Sequence, residues 1–349
     1  MKIAQVSPLW EAVPPTFYGG TERVVANLSN ALVDQGHEVT LFAAGGSHTR
    51  ATLVPVRRQA LRLDPAPLKS ELAAHLLLMS EVRRRADEFD VLHFHMDLLH
   101  FPFFEDIADR TLTTIHGRLD LTDLAEAYGR WSDFPLVSLS HHQRKPMPLA
   151  NWIGTVHNGI DETHFRPATK PTGAYLAFLG RIAPEKRPDR AIDIAIRAGL
   201  PLRIAAKVDA VDRAYFENCI RPLLQHPLIE YMGEVSDAEK PGFLGNARAL
   251  LFPIDWPEPF GLVMIEAMAC GTPVIAWRCG SVPEVLEHGL SGFIVDNEEE
   301  ATAAVKNVGQ LDRARIRAAF ERRFSAKVMA TAYVELYHRL LAMSLPAAA

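Results

Sequence analysis

Short apolar runs bounded by Gly, Pro and polar residues recur along the whole chain, and stretches of helical periodicity fill the gaps between them. KIAQVS, from Lys2 to Ser7, has the length and composition of a buried strand. A Pro- and Gly-rich loop follows to Gly20, after which the spacing predicts a helix from Thr21 through Gln35, ended by Gly36. EVTLFAAGG from Glu38 predicts the next strand and turn. The chain therefore opens with a β-α-β unit, whose right-handed crossover implies a parallel sheet. DVLHFH, TLTTIHG, PLVSLS and GTVHNG continue the series, with a helix predicted over Lys69 to Phe89. This alternation predicts a doubly wound α/β domain over 1–164.

FRPATKPTG, residues 165–173, mixes Pro, Gly and polar residues between two regular patterns and is the expected linker. The alternation then restarts with AYLAFLG, LRIAAK, IEYMGEV, ALLFPI, TPVIAW and GFIV, predicting a second parallel α/β domain over 174–324 with no detectable repeat of the first. Beyond it, Met329, Ala332, Tyr333, Leu336, Leu340 and Leu341 fall at helical spacing. That helix, at about 325–345, is expected to cross back onto the first domain. The predicted architecture is two such domains facing each other across a cleft.

Composition narrows the partners. The 349 residues are 48% hydrophobic and 23% charged, an ordinary globular balance that excludes disordered and collagen-like chains. With 37 Lys+Arg against 42 Asp+Glu the formal charge is -5, so no excess of cations points to nucleic acid. Cys219, Cys270 and Cys279 form no CxxC pair, which favours a reducing, cytoplasmic compartment. Pro8, Glu11, Pro14 and Pro15 interrupt the first apolar stretch before a secretory segment could form, and no apolar run approaches the roughly 18 residues of a membrane span. Arg57, Arg58, Arg62, Arg83, Arg84 and Arg85 could gather on one face and attract anionic lipid, so at most a peripheral membrane contact is expected.

The most informative segment is PEPFGLVMIEAMACGTPVIA, Pro257 to Ala276, in which seven residues separate Glu258 from Glu266. Pro-Glu-Pro should hold the backbone extended before a helix beginning near Phe260 or Gly261. The amides of Phe260, Gly261 and Leu262 would then lie at a helix N-terminus, a setting suited to hydroxyls and phosphates, with Gly261 allowing close approach. Glu258 is expected in the loop and Glu266 one to two turns inside the helix.

This segment resembles the Glu-x7-Glu signature of retaining family 4 glycosyltransferases, whose GT-B fold consists of two Rossmann-like domains. Further stretches follow the order and spacing of that family. FLGRIAPEKR places Arg181 and Lys186 five apart across a turn; the resemblance implies that both hold the donor diphosphate and stabilise its departing charge. In YGGTE, Tyr18 to Glu22, Gly19 and Gly20 precede a helix that Thr21 can cap, and the resemblance places this loop beneath the donor phosphate. TIHG puts His116 at a strand end, where the family implies contact with the sugar's C6 hydroxyl. VHNGID reads mainly as the turn that closes the first domain. Val235 in GEVSD is the expected contact to the base, with Lys207 and Asp209 also facing the donor, and GSVPEV from Gly280 completes the pattern. Glu22, His95 and Asp97 are the candidates on the acceptor side.

No Asp-x-Asp occurs, which is consistent with cations replacing a metal at the diphosphate, so neither metal nor cofactor is expected. No Gly-x-Gly-x-x-Gly follows the first strand, and no Gly-x4-Gly-Lys-Ser/Thr appears, against a dehydrogenase or a P-loop NTPase. The resemblance implies a retaining hexosyltransferase using a nucleoside diphosphate sugar, a UDP-sugar by preference, and an acceptor hydroxyl. The alternatives are a sugar-nucleotide epimerase or hydrolase on the same fold, or a non-catalytic nucleotide-sugar-binding scaffold. The sequence leaves the acceptor, the sugar and the oligomeric state open.

Overall fold

The computed structural model describes residues 1–17, 19–168 and 170–344. Tyr18 of YGGTE, Thr169 of the expected linker and residue 345 at the end of the expected C-terminal helix lie outside the described residues. The chain divides into two compact units, one comprising Met1–Ile160 with Ala326–Ala349 and the other Asp161–Ser325. The first division thus falls a few residues before the expected linker. Within the second unit, the guanidinium of Arg317 donates to the carbonyls of Phe165 and Glu162, and the Gly173 amide donates to the Asn246 carbonyl at 3.1 Å. These bonds hold both ends of segment 165–173 to that unit.

The first unit is built on β1 (Lys2–Val6), β2 (Glu38–Ala44), β3 (Thr52–Arg57), β4 (Val91–Phe94), β5 (Thr111–Thr114), β6 (Leu136–Ser138) and β7 (Trp152–Thr155). All pair in parallel in the order β3-β2-β1-β4-β5-β6-β7. The second unit has β8 (Leu176–Arg181), β9 (Leu202–Lys207), β10 (Ile229–Gly233), β11 (Ala249–Phe252), β12 (Val274–Trp277) and β13 (Gly292–Val295) in the order β10-β9-β8-β11-β12-β13, again parallel. Both orders reverse direction at one point, between β1 and β4 in the first sheet and between β8 and β11 in the second. At such a point the loops beyond the strand C-termini diverge and leave a crevice for a ligand.

The helices of eight residues or more are α1 (Gly20–Asp34), α2 (Glu71–Arg84), α3 (Pro188–Ala198), α4 (Leu262–Ala269), α5 (Glu298–Asn307), α6 (Arg313–Phe324) and α7 (Ala326–Ser344). Ser70 caps α2 by accepting the Ala73 amide at 3.1 Å, and the helix stops at Arg84 rather than running to Phe89 because 86–88 tighten into a 3-10 turn. α7 belongs to the first unit and packs on α1, while the buried Leu336 lies against Gly154 of β7. α4 is apolar nearly all round and is buried accordingly.

β3 was absent from the predicted strands because its Pro55 and half-exposed positions blur the pattern; as the edge of its sheet it tolerates the missing N–H. The strand expected at GTVHNG lies earlier, at 152–155, where Trp152 pairs with Leu136; from Val156 the chain turns away with Asn158 buried. The expected basic face is largely neutralised. Arg57 pairs with Asp64, Arg62 with Glu11, Arg83 with Asp106, Arg84 with Glu81 and Arg85 with Glu88. Among the described residues no helix is long and apolar enough to cross a membrane.

Candidate functional site

In the second unit the candidate residues gather beyond the C-terminal ends of β8 and β11, on the two sides of the switch point. β8 ends at Arg181, and the short turn Pro184–Lys186 follows. Arg181 lies in an acidic setting: its guanidinium bonds Glu185 and stands 3.5 Å from both Asp209 and Asp212. Burial raises the Asp212 carboxyl above its ordinary range, opposed by Arg181 and reinforced by Glu185 and Asp209. Lys207 adds a second cation 3.0 Å from Asp209. Lys186 points elsewhere. Its ammonium bonds the Glu258 carboxylate and sits 4.8 Å from the centre of the Trp256 ring, a cation–π contact that sequence reasoning missed. Arg181 and Lys186 are therefore held in two separate charge clusters.

Glu258 is placed by its backbone. Gly280 has φ +56°, and a Cβ there would come within 2.5 Å of the Glu258 nitrogen and oxygen, so only glycine lets the two loops touch. The Ser281 amide donates to the Glu258 carbonyl at 3.1 Å, and the Ser281 hydroxyl donates to the Phe260 carbonyl at 2.6 Å. α4 starts at Leu262 rather than at Phe260 or Gly261. Gly261 is its N-cap in the left-handed region, φ +84°, and a Cβ there would meet Met264 at 2.8 Å and Phe252 at 3.0 Å. Its lack of a side chain thus serves packing and chain direction. Phe260 is buried, 5.9 Å from Phe324 between ring centres.

Glu266 is the fifth residue of α4 and only 2% exposed, with Lys240 Nζ 3.4 Å from its carboxylate. Each glutamate of the pair thus faces a lysine, Glu258 with Lys186 and Glu266 with Lys240. Lys240, at the start of a short helix, was not singled out from the sequence, where nothing links it to a residue 26 positions away. Val235 is buried just past β10.

In the first unit the candidates lie beyond β1, β4 and β5. Gly19 is the N-cap of α1 and Gly20 its first residue, with no side-chain cap; Thr21 is inside the helix and does not supply one. Gly19 packs on Pro15, where a Cβ would come within 2.8 Å. Glu22, in the first turn, is 5% exposed. Burial, reinforced by the neighbouring Glu11, pushes its carboxyl up to about 7, against the pull of the hydrogen bonds it accepts from backbone amides.

Asp97, at φ +48°, accepts the amides of His116 and Gly117 with its carboxylate. Gln143 Nε2 donates to the carbonyls of Ile115 and Gly117 at 3.0 and 2.9 Å. The segment carrying His116 is thus fastened on both sides. His116 Nε2 lies 2.8 Å from His95 Nδ1, and burial of the ring lowers its pKa to about 3. His95 is 2% exposed and both its ring nitrogens are engaged, so it backs His116 rather than lining an open surface. Glu22 is likewise buried, beside Glu11. Among the described residues no three His, Cys, Asp or Glu side chains come together as a metal-ligand set.

A family model described as Glycosyl transferases group 1 matches residues 159–321, and one described as Glycosyltransferase Family 4 matches residues 18–164. The chain is 26% identical to the phosphatidyl-myo-inositol mannosyltransferase of Mycolicibacterium smegmatis, across 94% of this chain and 89% of the relative. It is 29% identical to the glycogen synthase of Mycobacterium tuberculosis, across 97% of this chain and 94% of the relative. Among solved structures, Anabaena Alr3699/HepE in complex with UDP and glucose superposes with a TM-score of 0.72 at 19% identity, covering 97% of this chain and all of that one, a likeness of fold.

Proposed function

For a chain that belongs to the GT-B glycosyltransferases of family 4 type, we propose that it moves a hexose from a nucleoside diphosphate sugar, a UDP-sugar by preference, to an acceptor hydroxyl with retention of anomeric configuration and without a metal ion. The observation that carries this reading is the set of charges at the switch point of the second unit: Arg181 beyond β8, and Lys186 paired with Glu258 of the loop after β11. The fold match to a UDP complex supports the base.

The donor's diphosphate competes for the two cations. Arg181 exchanges part of its acidic surroundings for phosphate oxygens, and Lys186 releases Glu258 to take them. The freed Glu258 carboxylate then accepts sugar hydroxyls near O3 and O4, while Glu266 accepts the ribose hydroxyls with Lys240 holding its charge. The backbone beside Val235 reads the base, and His116 meets the C6 hydroxyl. As the glycosidic bond breaks, negative charge grows on the departing diphosphate, and the two side chains stabilise it there more than in the ground state. The acceptor attacks from the face the diphosphate leaves, with a phosphate oxygen taking its proton, so no carboxylate nucleophile is needed.

The test is thermal stabilisation by UDP, GDP and ADP without added metal, on the wild type and on Arg181→Ala, followed by determination of the product anomer. A ligand at 100 times its dissociation constant adds about 2.7 kcal/mol. A shift with one diphosphate that Arg181→Ala loses supports the reading. A shift that survives Arg181→Ala, or none with any diphosphate, overturns it.

A further inference from the structure

His116 is the visible end of a buried hydrogen-bonded chain that runs through the middle of the first unit. His95 joins His116 Nε2 through Nδ1 and Gln5 Oε1 through Nε2, both at 2.8 Å. The Gln5 amide nitrogen reaches Tyr337 Oη at 3.0 Å and His93 Nδ1 at 3.3 Å, and His93 Nδ1 also lies 2.7 Å from Tyr337 Oη. His93 Nε2 stands 2.8 Å from Thr114 Oγ1, which in turn meets Tyr333 Oη at 2.8 Å. Gln5, His93 and Thr114 are fully enclosed, on three adjacent strands, and the two tyrosines come from α7. No charge lies among these groups, and burial holds all three imidazoles in their neutral forms at neutral pH.

The donor and acceptor roles follow from the amide. A carboxamide oxygen only accepts, so His95 carries its proton on Nε2 and donates it to Gln5. A neutral ring has one N–H, so His95 Nδ1 is an acceptor, and the bond to it must be donated by His116 Nε2. His116 then has its second nitrogen, Nδ1, as a bare lone pair, and that atom makes no hydrogen bond among the described residues of a side chain that is partly exposed. At the other end, the Gln5 N–H groups donate to Tyr337 and His93, and His93 Nε2 donates to Thr114 without conflict.

We propose that Gln5 and His95 are positioning residues that hold His116 protonated at Nε2, so that Nδ1 accepts the primary hydroxyl of a bound hexose and turns away a carboxylate at the same carbon. This rests on the reading that His116 meets the sugar's C6 substituent. A hydroxymethyl group supplies the proton that the lone pair needs. A hexuronate carboxylate offers only lone pairs of its own, and the neutral ring presents it no donor. The donor class is therefore a hexose rather than a hexuronate.

The tautomer is read directly from the two-bond proton–nitrogen spectrum of the full chain with labelled histidines, His116 being assigned by the signals that vanish in His116→Gln. The expected spectrum has His116 with a protonated Nε2 and a pyridine-like Nδ1. Gln5→Leu, which removes the amide, is expected to leave His116 as a mixture of tautomers, and Gln5→Glu, which keeps an oxygen facing His95, is expected to retain the wild-type form. With UDP-glucose and UDP-glucuronate as donors, the wild type should favour the former about 100-fold in kcat/KM. Gln5→Leu should cut that preference about tenfold without changing the stabilisation given by UDP alone, whereas a purely structural defect would depress both donors equally. His116 protonated at Nδ1 in the wild type, as a reversed Gln5 amide would impose, overturns the proposal even if Gln5→Leu fails to fold. An unchanged tautomer in a folded Gln5→Leu overturns it as well. The expected tautomer with a donor preference that ignores His116→Gln would sink the C6 reading instead, while upholding the positioning roles.

Discussion

Replacing Gly280 by alanine should damage donor binding through a residue that touches no ligand. Two costs can be worked out. A non-glycine residue at φ +56° loses about 1–2 kcal/mol relative to an ordinary conformation. The added Cβ would also stand 2.5 Å from the backbone nitrogen and oxygen of Glu258, and because backbone atoms cannot rotate aside, the two loops must part by about 1 Å to restore normal contact. Gly36→Ala is the control: φ there is +84°, with no heavy atom within 4 Å of the new methyl group, so it should lose only the backbone cost of about 1–2 kcal/mol. Urea denaturation is expected to give about 2–3 kcal/mol for Gly280→Ala. A displacement of that size at a reacting or binding group costs about 100-fold, so the extra thermal stabilisation that a UDP-sugar provides over UDP should disappear in Gly280→Ala and persist in Gly36→Ala. Equal stability losses in the two variants, with that difference intact in both, would refute the idea that Gly280 places Glu258.

Two further outcomes follow from buried polar groups. Glu22 is neutral in the folded protein up to about pH 7, against an ordinary value of 4.5; its contribution to stability is complete below pH 4.5 and is lost as pH rises to 7, amounting to about 3 kcal/mol. Urea midpoints across that window should therefore fall less in Glu22→Gln than in the wild type, while His116, depressed from 6.5 to about 3, acts in the opposite sense in both proteins, destabilising the fold as pH drops below 6.5. Arg317 donates to the carbonyls of Ala269 at 2.6 Å and Glu162 at 2.9 Å and also to that of Phe165, so Arg317→Met should cost about 2–4 kcal/mol by urea denaturation; a loss under 0.5 kcal/mol would mean that water serves those carbonyls equally well.

Much of the fold is legible in the chain because central strands of a parallel sheet are covered on both faces and therefore read as unbroken apolar runs. LRIAAK and GFIV match β9 and β13 end to end, and KIAQVS, ALLFPI and TPVIAW overrun β1, β11 and β12 by only one or two residues. β3 escaped because an edge strand is covered less and can carry Pro55. The candidate residues were legible one by one for the same reason: Arg181, His116 and Glu258 lie where an apolar run ends and a loop begins, and in a doubly wound domain those ends converge.

Their partners were not legible. Lys186 and Glu258 are 72 positions apart, and Gln5 and His95 are 90 apart; they meet because β8 lies beside β11 and β1 beside β4. Arg181 and Lys186, close in sequence, are instead drawn into separate charge clusters by acids on different loops. Apolar periodicity is a local property of the chain, so the sequence by itself determined the elements, their parallel arrangement and the loops that carry the chemistry. Which charge faces which, which histidine nitrogen keeps its proton, and which carboxylate stays uncharged depend on burial and on strand order, and those exist only once the sheets have assembled.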